Sequence, residues 1–383
     1  MPHLVYDRAA LNGVNAVNVC PLVFDPIYKP KIWGGRRLES LAGKRLPPDE
    51  PIGESWELAD LENDQSAVRD GPARGWPLSR LVHEWGRDLL GSAQLFGGRF
   101  PLLIKFLDAQ ETLSVQVHPD QAMADRLGGD VRVKNEAWYV LHTEPDGVIY
   151  HGLADGVTRA RFVDAIASGT VASTLRRVPV KPGACYYLPS GTVHALGAGV
   201  VVAEIQTPSD ITYRVYDWDR IDPSTGKGRT LHIDDALQCI QFGPAQPPEQ
   251  PRSHVGSVWT AVTSLVRCDS FVIERVRMVE GVEQTIPTGE MLVWMALSGR
   301  AEILYGRGES LVFQRGDTVL IPAGLGDARL KTDAVCEWLE VTIPIESDLK
   351  HFERPDRAAL NQPEDRGFVS LNLPDSAGRT RSD

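Results

Sequence analysis

Apolar positions along this chain follow two rhythms, and the change from one to the other marks out its elements. Over 77–90, Leu78, Leu81, Val82, Trp85 and Leu89 recur at helical spacing and Gly91 follows, which predicts one helix. Residues 100–108, Phe-Pro-Leu-Leu-Ile-Lys-Phe-Leu-Asp, form a nearly continuous apolar run of strand length with Lys105 embedded in it. A short helix is expected over 121–127, a strand over 136–141, and a helical excursion over 158–175 with Phe162, Ala165, Ile166 and Val171 on its apolar side. The text from 21 to 61 is rich in Pro and Gly, which suits short strands and loops. Further strands are expected over 271–279, 291–297, 299–305, 310–313 and 335–343. Together these describe a mainly β chain with a few helices inserted.

Gly183-Ala-Cys-Tyr-Tyr-Leu-Pro189-Ser-Gly191-Thr-Val-His194 has the form G-x5-P-x-G-x2-H. It resembles the second motif of the cupin superfamily, in which Pro and Gly shape a tight turn and the outgoing strand aims a His into a small barrel. The framework recurs at Gly316, Pro322 and Gly324, with Asp327 in the place of His194. The repeat predicts two cupin-type (jelly-roll) β-barrels, of which only the first keeps its His. The corresponding division is an N-terminal extension at 1–20, expected to be loose, and a metal-binding catalytic domain with helical insertions at 21–243. A Pro-rich linker at 244–254, a second barrel without metal ligands at 255–350 and a polar tail at 351–383 complete it.

Composition changes this picture little but excludes some functions. Hydrophobic residues make up 42% and charged residues 24%, with no apolar run of the ~20 residues a spanning helix needs, so no membrane partner is implied. The formal net charge of -11 argues against a nucleic-acid partner, yet leaves room for a small anion in a local basic pocket. The first residues lack the basic start and apolar core of a secretory leader, and the 5 scattered cysteines suit reduced thiols; a cytoplasmic monomer or homodimer is expected.

The chemistry concentrates in Ser114-Val-Gln116-Val-His118-Pro-Asp120 and Lys134-Asn-Glu136-Ala-Trp138. On a strand, Ser114, Gln116 and His118 share one face. With Glu136 and His194 they supply two imidazoles, a carboxylate and an amide oxygen, a set that suits Zn2+ and that Fe2+, Mn2+ or Co2+ would also accept. Ser114 and Lys134 would share the metal-facing side of their strands, and Arg214 and Arg220 can face one way on an extended segment. A hydroxyl, a Lys and two Arg beside a metal serve a phosphate and a developing oxyanion.

The blocks 100–108, 113–120, 134–139, 189–194 and 204–214, in this order, resemble those of type I phosphomannose isomerase, and Trp33-Gly34-Gly35 and Gly53-Glu54-Ser55-Trp56-Glu57 also fit. The resemblance implies a cupin-fold, zinc-dependent aldose-ketose isomerase that interconverts mannose 6-phosphate and fructose 6-phosphate. It puts the zinc ligands on Gln116, His118, Glu136 and His194 and the active-site arginine on Arg214. Ser114 and Lys134 fall on substrate or phosphate contacts, Glu204 and Asp210 on acidic residues of the pocket, and Lys105 on a pocket lysine. Arg220 stands where longer relatives carry Lys, and Leu196 where some carry Tyr. The large helical insertion of longer members is absent, which leaves a compact bacterial-type chain.

An isomerisation through an enediol(ate) needs a group that moves a proton between C2 and C1 and one that stabilises the oxygens. Arg214 is expected to stabilise the oxyanion, Lys134 or Glu204 to move the proton, and Asp210 to assist ring opening. The alternatives are an isomerase or epimerase of another sugar phosphate, or a sugar-binding cupin without catalysis.

Overall fold

The computed structural model describes residues 18–128, 131–222, 225–244 and 246–344. Residues 1–17 of the expected N-terminal extension and the expected tail at 351–383 lie outside the described residues.

The strand Val200–Gln206 shows why the chain folds as layered sheets. Val200 and Val202 are buried with Trp138, Val140 and Leu107, whereas Val201, Ala203 and Ile205 are buried with Leu265, Val293 and Leu339 from the C-terminal third. A period of two thus gives one strand two dry faces. Glu204 and Gln206 extend the first of these faces.

Val200–Gln206 is central in a six-stranded sheet ordered Ile27–Gly35, Ile52–Leu58, Leu103–Ala109, Val200–Gln206, Glu136–Thr143, Cys185–Leu188. A five-stranded sheet runs Tyr213–Tyr216, Val115–Val117, His194–Leu196, Val148–Leu153, Leu175–Pro179. A seven-stranded sheet runs Leu22–Val23, Thr318–Ile321, Leu292–Ser298, Cys336–Thr342, Val272–Met278, Thr260–Arg267, His254–Gly256. A four-stranded sheet runs Glu283–Thr285, Arg329–Thr332, Arg300–Tyr305, Glu309–Gln314, and shares with the seven-stranded sheet a core around Trp294, Trp338, Ile303 and Phe313. The mainly β expectation with few helices holds. No disulfide joins the five cysteines.

Several elements differ from the reading of the sequence. The helix expected over 77–90 is two, Leu78–Trp85 and Arg87–Leu90, because Gly86 takes φ 48 between them. The excursion at 158–175 is a helix at Arg159–Ala167 and a single 3-10 turn at Val171–Thr174. Leu22 and Val23 pair with Leu320 and Val319, so the start of the expected catalytic segment belongs to the C-terminal sheet. The Pro-rich connector is laid down on its neighbours: Pro248 accepts a hydrogen bond from the Tyr187 N–H at 3.0 Å, and the Gln250 amide bonds both backbone groups of Arg267. Within the repeat, His194 opens a strand whereas Asp327, at φ 52, sits in a turn before Arg329–Thr332.

Candidate metal centre and active site

Two cross-strand rows make the site. Across the six-stranded sheet, Trp56 pairs with Lys105, Lys105 with Glu204 and Glu204 with Trp138. Across the five-stranded sheet, Arg214 pairs with Gln116, Gln116 with His194 and His194 with His151. One position further along the same face of the first sheet, Gln206 pairs with Glu136. Register alone therefore gathers residues more than a hundred positions apart, and a one-residue slip would turn every one of them away.

His118, Glu136 and His194 are all buried and bring one donor atom each to within 4.8 Å of one another. Glu136 Oε1 lies 3.0 Å from His118 Nε2 and 2.8 Å from His194 Nε2. Each imidazole is held by its other nitrogen: His118 Nδ1 is 2.9 Å from Ile211 O and His194 Nδ1 is 2.8 Å from Thr192 O. A carbonyl can only accept, so both Nδ1 atoms carry a proton, and Nε2 is the atom of each ring that faces Glu136. Burial, reinforced by the Lys134 ammonium, pulls the His118 pKa down to about 3, which keeps the ring neutral. Burial alone would raise the Glu136 carboxyl, but Lys134 and His118 outweigh it and hold it well below the usual range.

This donor set fits a divalent cation. Two imidazoles and a carboxylate converge, and the buried Glu136 Oε2 has no hydrogen bond, with Lys134 Nζ 3.1 Å away. Gln116 Nε2 stands 3.3 Å from His194 Nε2. A half-turn of that amide would offer its oxygen in the same place.

Beside the triad lies a cavity of about 230 Å3 lined by all of the expected substrate residues but one: Ser114, Lys134, Lys105, Glu204, Asp210 and Arg214, together with Gln116. Its size suits a small polar molecule better than the ~300–1,000 Å3 typical of drug-sized ligands. Arg214 Nε donates to Ser114 Oγ at 3.2 Å and its Nη1 to Thr230 O at 2.9 Å. Lys105 Nζ lies 3.2 Å from Glu204 Oε2 and 3.7 Å from Glu54 Oε2, above the Trp56 ring. Burial disfavours its ammonium, but Glu204 and Glu54 outweigh burial and raise its pKa. Glu204 accepts from Trp138 Nε1 at 2.7 Å, yet burial still lifts its carboxyl above the usual range. Burial works the same way on Glu54, but Lys105 and Lys31 prevail and hold it at about 2.

Arg220 is the exception. Trp218 and Asp219 adopt φ 58 and 53, and the extended segment expected there becomes a turn. Arg220 then donates to Thr112 O at 2.5 Å and pairs with Asp217 and Glu111 at 3.3 Å, outside the cavity lining. Arg229 lines the cavity instead, with its Nε on Asp217 Oδ2 at 2.8 Å. Nothing in Gly228-Arg229-Thr230 signals that role, since a loop brings it in. Lys31, Glu54 and Trp33 also line the cavity, and the early blocks 33–35 and 53–57 were the available signal for Trp33 and Glu54.

The family "Phosphomannose isomerase type I, catalytic domain" matches residues 22–146. The mannose-6-phosphate isomerase ManA of Bacillus subtilis is 37% identical over 316 residues, covering 82% of this chain and 97% of its own length. The mannose-6-phosphate isomerase of Streptococcus mutans is 35% identical over 302 residues, covering 79% and 92%. The crystal structure of a mannose 6-phosphate isomerase from Bacillus subtilis superposes with a TM-score of 0.76 at 31% identity, covering 84% of this chain and 99% of that one. No helix among the described residues is long and apolar enough to cross a membrane. On the relatives' identity and on near-complete mutual coverage, the chain belongs to the type I phosphomannose isomerase family.

Proposed function

We propose that this chain is a zinc-dependent, cytoplasmic isomerase that interconverts mannose 6-phosphate and fructose 6-phosphate through an enediol(ate). The observation that carries the reading is the buried His118–Glu136–His194 triad set beside a small cavity that also holds Lys134, Lys105, Arg214 and Arg229. A metal held by those three residues and Gln116 would polarise the carbonyl and hydroxyl oxygens of the substrate. Ser114, Arg214 and Lys134 bind and orient the sugar phosphate, and Arg214 neutralises charge that develops on oxygen. Of the two candidates for moving the proton, Glu204 is the better. Its pKa is raised by burial, which brings it closer to a working pH. Asp210 lines the same cavity and is assigned to ring opening.

A coupled assay for fructose 6-phosphate formed from mannose 6-phosphate should show turnover that a chelator removes and Zn2+ restores. Zinc-replete protein without turnover would sink the reading. Glu204→Gln should lower kcat by 10²-fold or more, on the order of a lost acid–base group, and flatten the acid limb of the pH–rate profile. An unchanged limb would shift the role to Lys134.

The second cation for the phosphate is reassigned from Arg220 to Arg229. Arg229→Ala should raise KM by roughly tenfold, about the loss of one charge-assisted contact, with little change in kcat. Arg220→Ala should leave KM within about twofold. Steady-state kinetics on the pair decides, and the reverse pattern would restore Arg220.

A further inference from the structure

We propose that the chain carries a second binding site, for a phosphate monoester that bears a ring, on the face of the six-stranded sheet opposite the catalytic cavity. On the strand Ile52–Leu58, Glu54 and Trp56 serve the catalytic side, so Ser55 and Glu57 point the other way. There a cavity of about 590 Å3, more than twice the volume of the catalytic one, opens between the 42–45 loop and the 314–317 turn. Lys44, Arg45, Arg69 and Arg315 line it against Asp25, Glu57 and Asp317.

Two of these cations are already matched. Lys44 Nζ lies 2.6 Å from Glu57 Oε2 and donates to Gly316 O at 2.7 Å, and Arg69 pairs with Asp317 and Asp70, each at 2.9 Å. Arg45 and Arg315 line the same cavity, and among the described residues neither guanidinium has a hydrogen bond or ion pair. Thr318, also in the lining, has a buried Oγ1 without any partner. Buried hydroxyls are rarely left so, and a cavity lined by one calls for an acceptor or donor from outside the chain. Guanidinium forks match phosphate oxygens in pairs. Phe24, Pro26 and Tyr28 add an apolar and aromatic wall, which suits a ring attached to the phosphate. The ligand would tie the 42–45 loop to the 314–317 turn, so its binding should register as thermal stabilisation.

The test uses metal-replete full-length protein whose catalytic cavity is disabled by Arg214→Ala and Arg229→Ala, titrated with inorganic phosphate, AMP and fructose 6-phosphate. AMP or fructose 6-phosphate should raise Tm by roughly 2 °C or more at about tenfold excess over Kd. Adding Arg45→Ala and Arg315→Ala should abolish the rise while leaving the ligand-free Tm unchanged. If those two alanines lower the ligand-free Tm, Arg45→Gln and Arg315→Gln replace them. A larger response to AMP identifies a nucleotide and a larger one to fructose 6-phosphate a sugar phosphate. No response, a response that inorganic phosphate reproduces in full, or one that survives removal of both guanidiniums overturns the proposal. In the otherwise wild-type enzyme, the Arg45 and Arg315 variants should keep kcat.

Discussion

His118→Ala and His194→Ala should each bring bound metal to near zero and lower kcat/KM by at least about 10³-fold, the scale of losing a metal's electrophilic stabilisation. Metal analysis after dialysis and the coupled assay read the two effects. The magnitude follows from how the triad is held. Ile211 O and Thr192 O fix the two rings by their Nδ1 atoms, so the Nε2 atoms are aimed before any metal arrives. With either ring gone, one imidazole, Glu136 and the weak Gln116 amide remain, and Lys134 Nζ, 3.1 Å from Glu136 Oε2, competes for that carboxylate. Gln116→Ala should be milder, costing about 10–100-fold in metal affinity, because an amide is the weakest donor of the set. Full metal content in His194→Ala would disprove the assignment of the site.

Lys105→Met is the substitution expected to cost most stability, about 3–5 kcal/mol. Its ammonium lies between the buried carboxyls of Glu54 and Glu204, and its removal leaves Glu204 without its ion-pair partner and Glu54 with Lys31 alone. Urea unfolding at pH 7 measures the loss. Adding Glu204→Gln should recover part of it, since one stranded charge disappears with its partner. The pH dependence has a defined sign. Glu54 is held at about 2 against an ordinary 4.5, so its contribution to the wild type is complete above 4.5 and fades as pH falls through about 2. In Lys105→Met both carboxyls can take up protons instead, so the deficit relative to wild type should shrink as pH drops below about 4.5. A deficit that is equal at pH 7 and pH 4 would mean that the loss comes from packing rather than charge.

The residues legible in the sequence are those whose position depends on local periodicity or on a turn motif. His118 and Gln116 are two apart beside a short strand, and the Pro189–Gly191 turn, with Gly191 at φ 81, delivers His194 onto the next strand. Lys134 was expected on a strand but precedes it, and reaches the site because its backbone N–H bonds Pro119 O at 3.3 Å. That contact is tertiary and leaves no mark in the sequence. Arg220 stands outside the cavity lining because of a turn formed by two non-glycine residues with positive φ, which carry no reliable signal of their own. Arg229 lines the cavity from a loop that has neither periodicity nor motif, so nothing in the sequence pointed to it. The pairing of Leu22 and Val23 with Leu320 and Val319 was not legible, because strand pairing across most of the chain cannot be read from either partner alone.

The pairing of Leu22–Val23 with Thr318–Ile321 also sets a timetable for synthesis. The N-terminal strand leaves the ribosome roughly 300 residues before its partner, a delay of about 15–60 s at ordinary elongation rates. Until the C-terminal third follows, the apolar face of Val201, Ala203 and Ile205 lacks the cover that Leu265, Val293 and Leu339 later supply. The part that bears the candidate site is therefore born with its back only partly covered, and ribosome-bound chains stalled before residue 318 should be the ones that chaperones hold and proteases find.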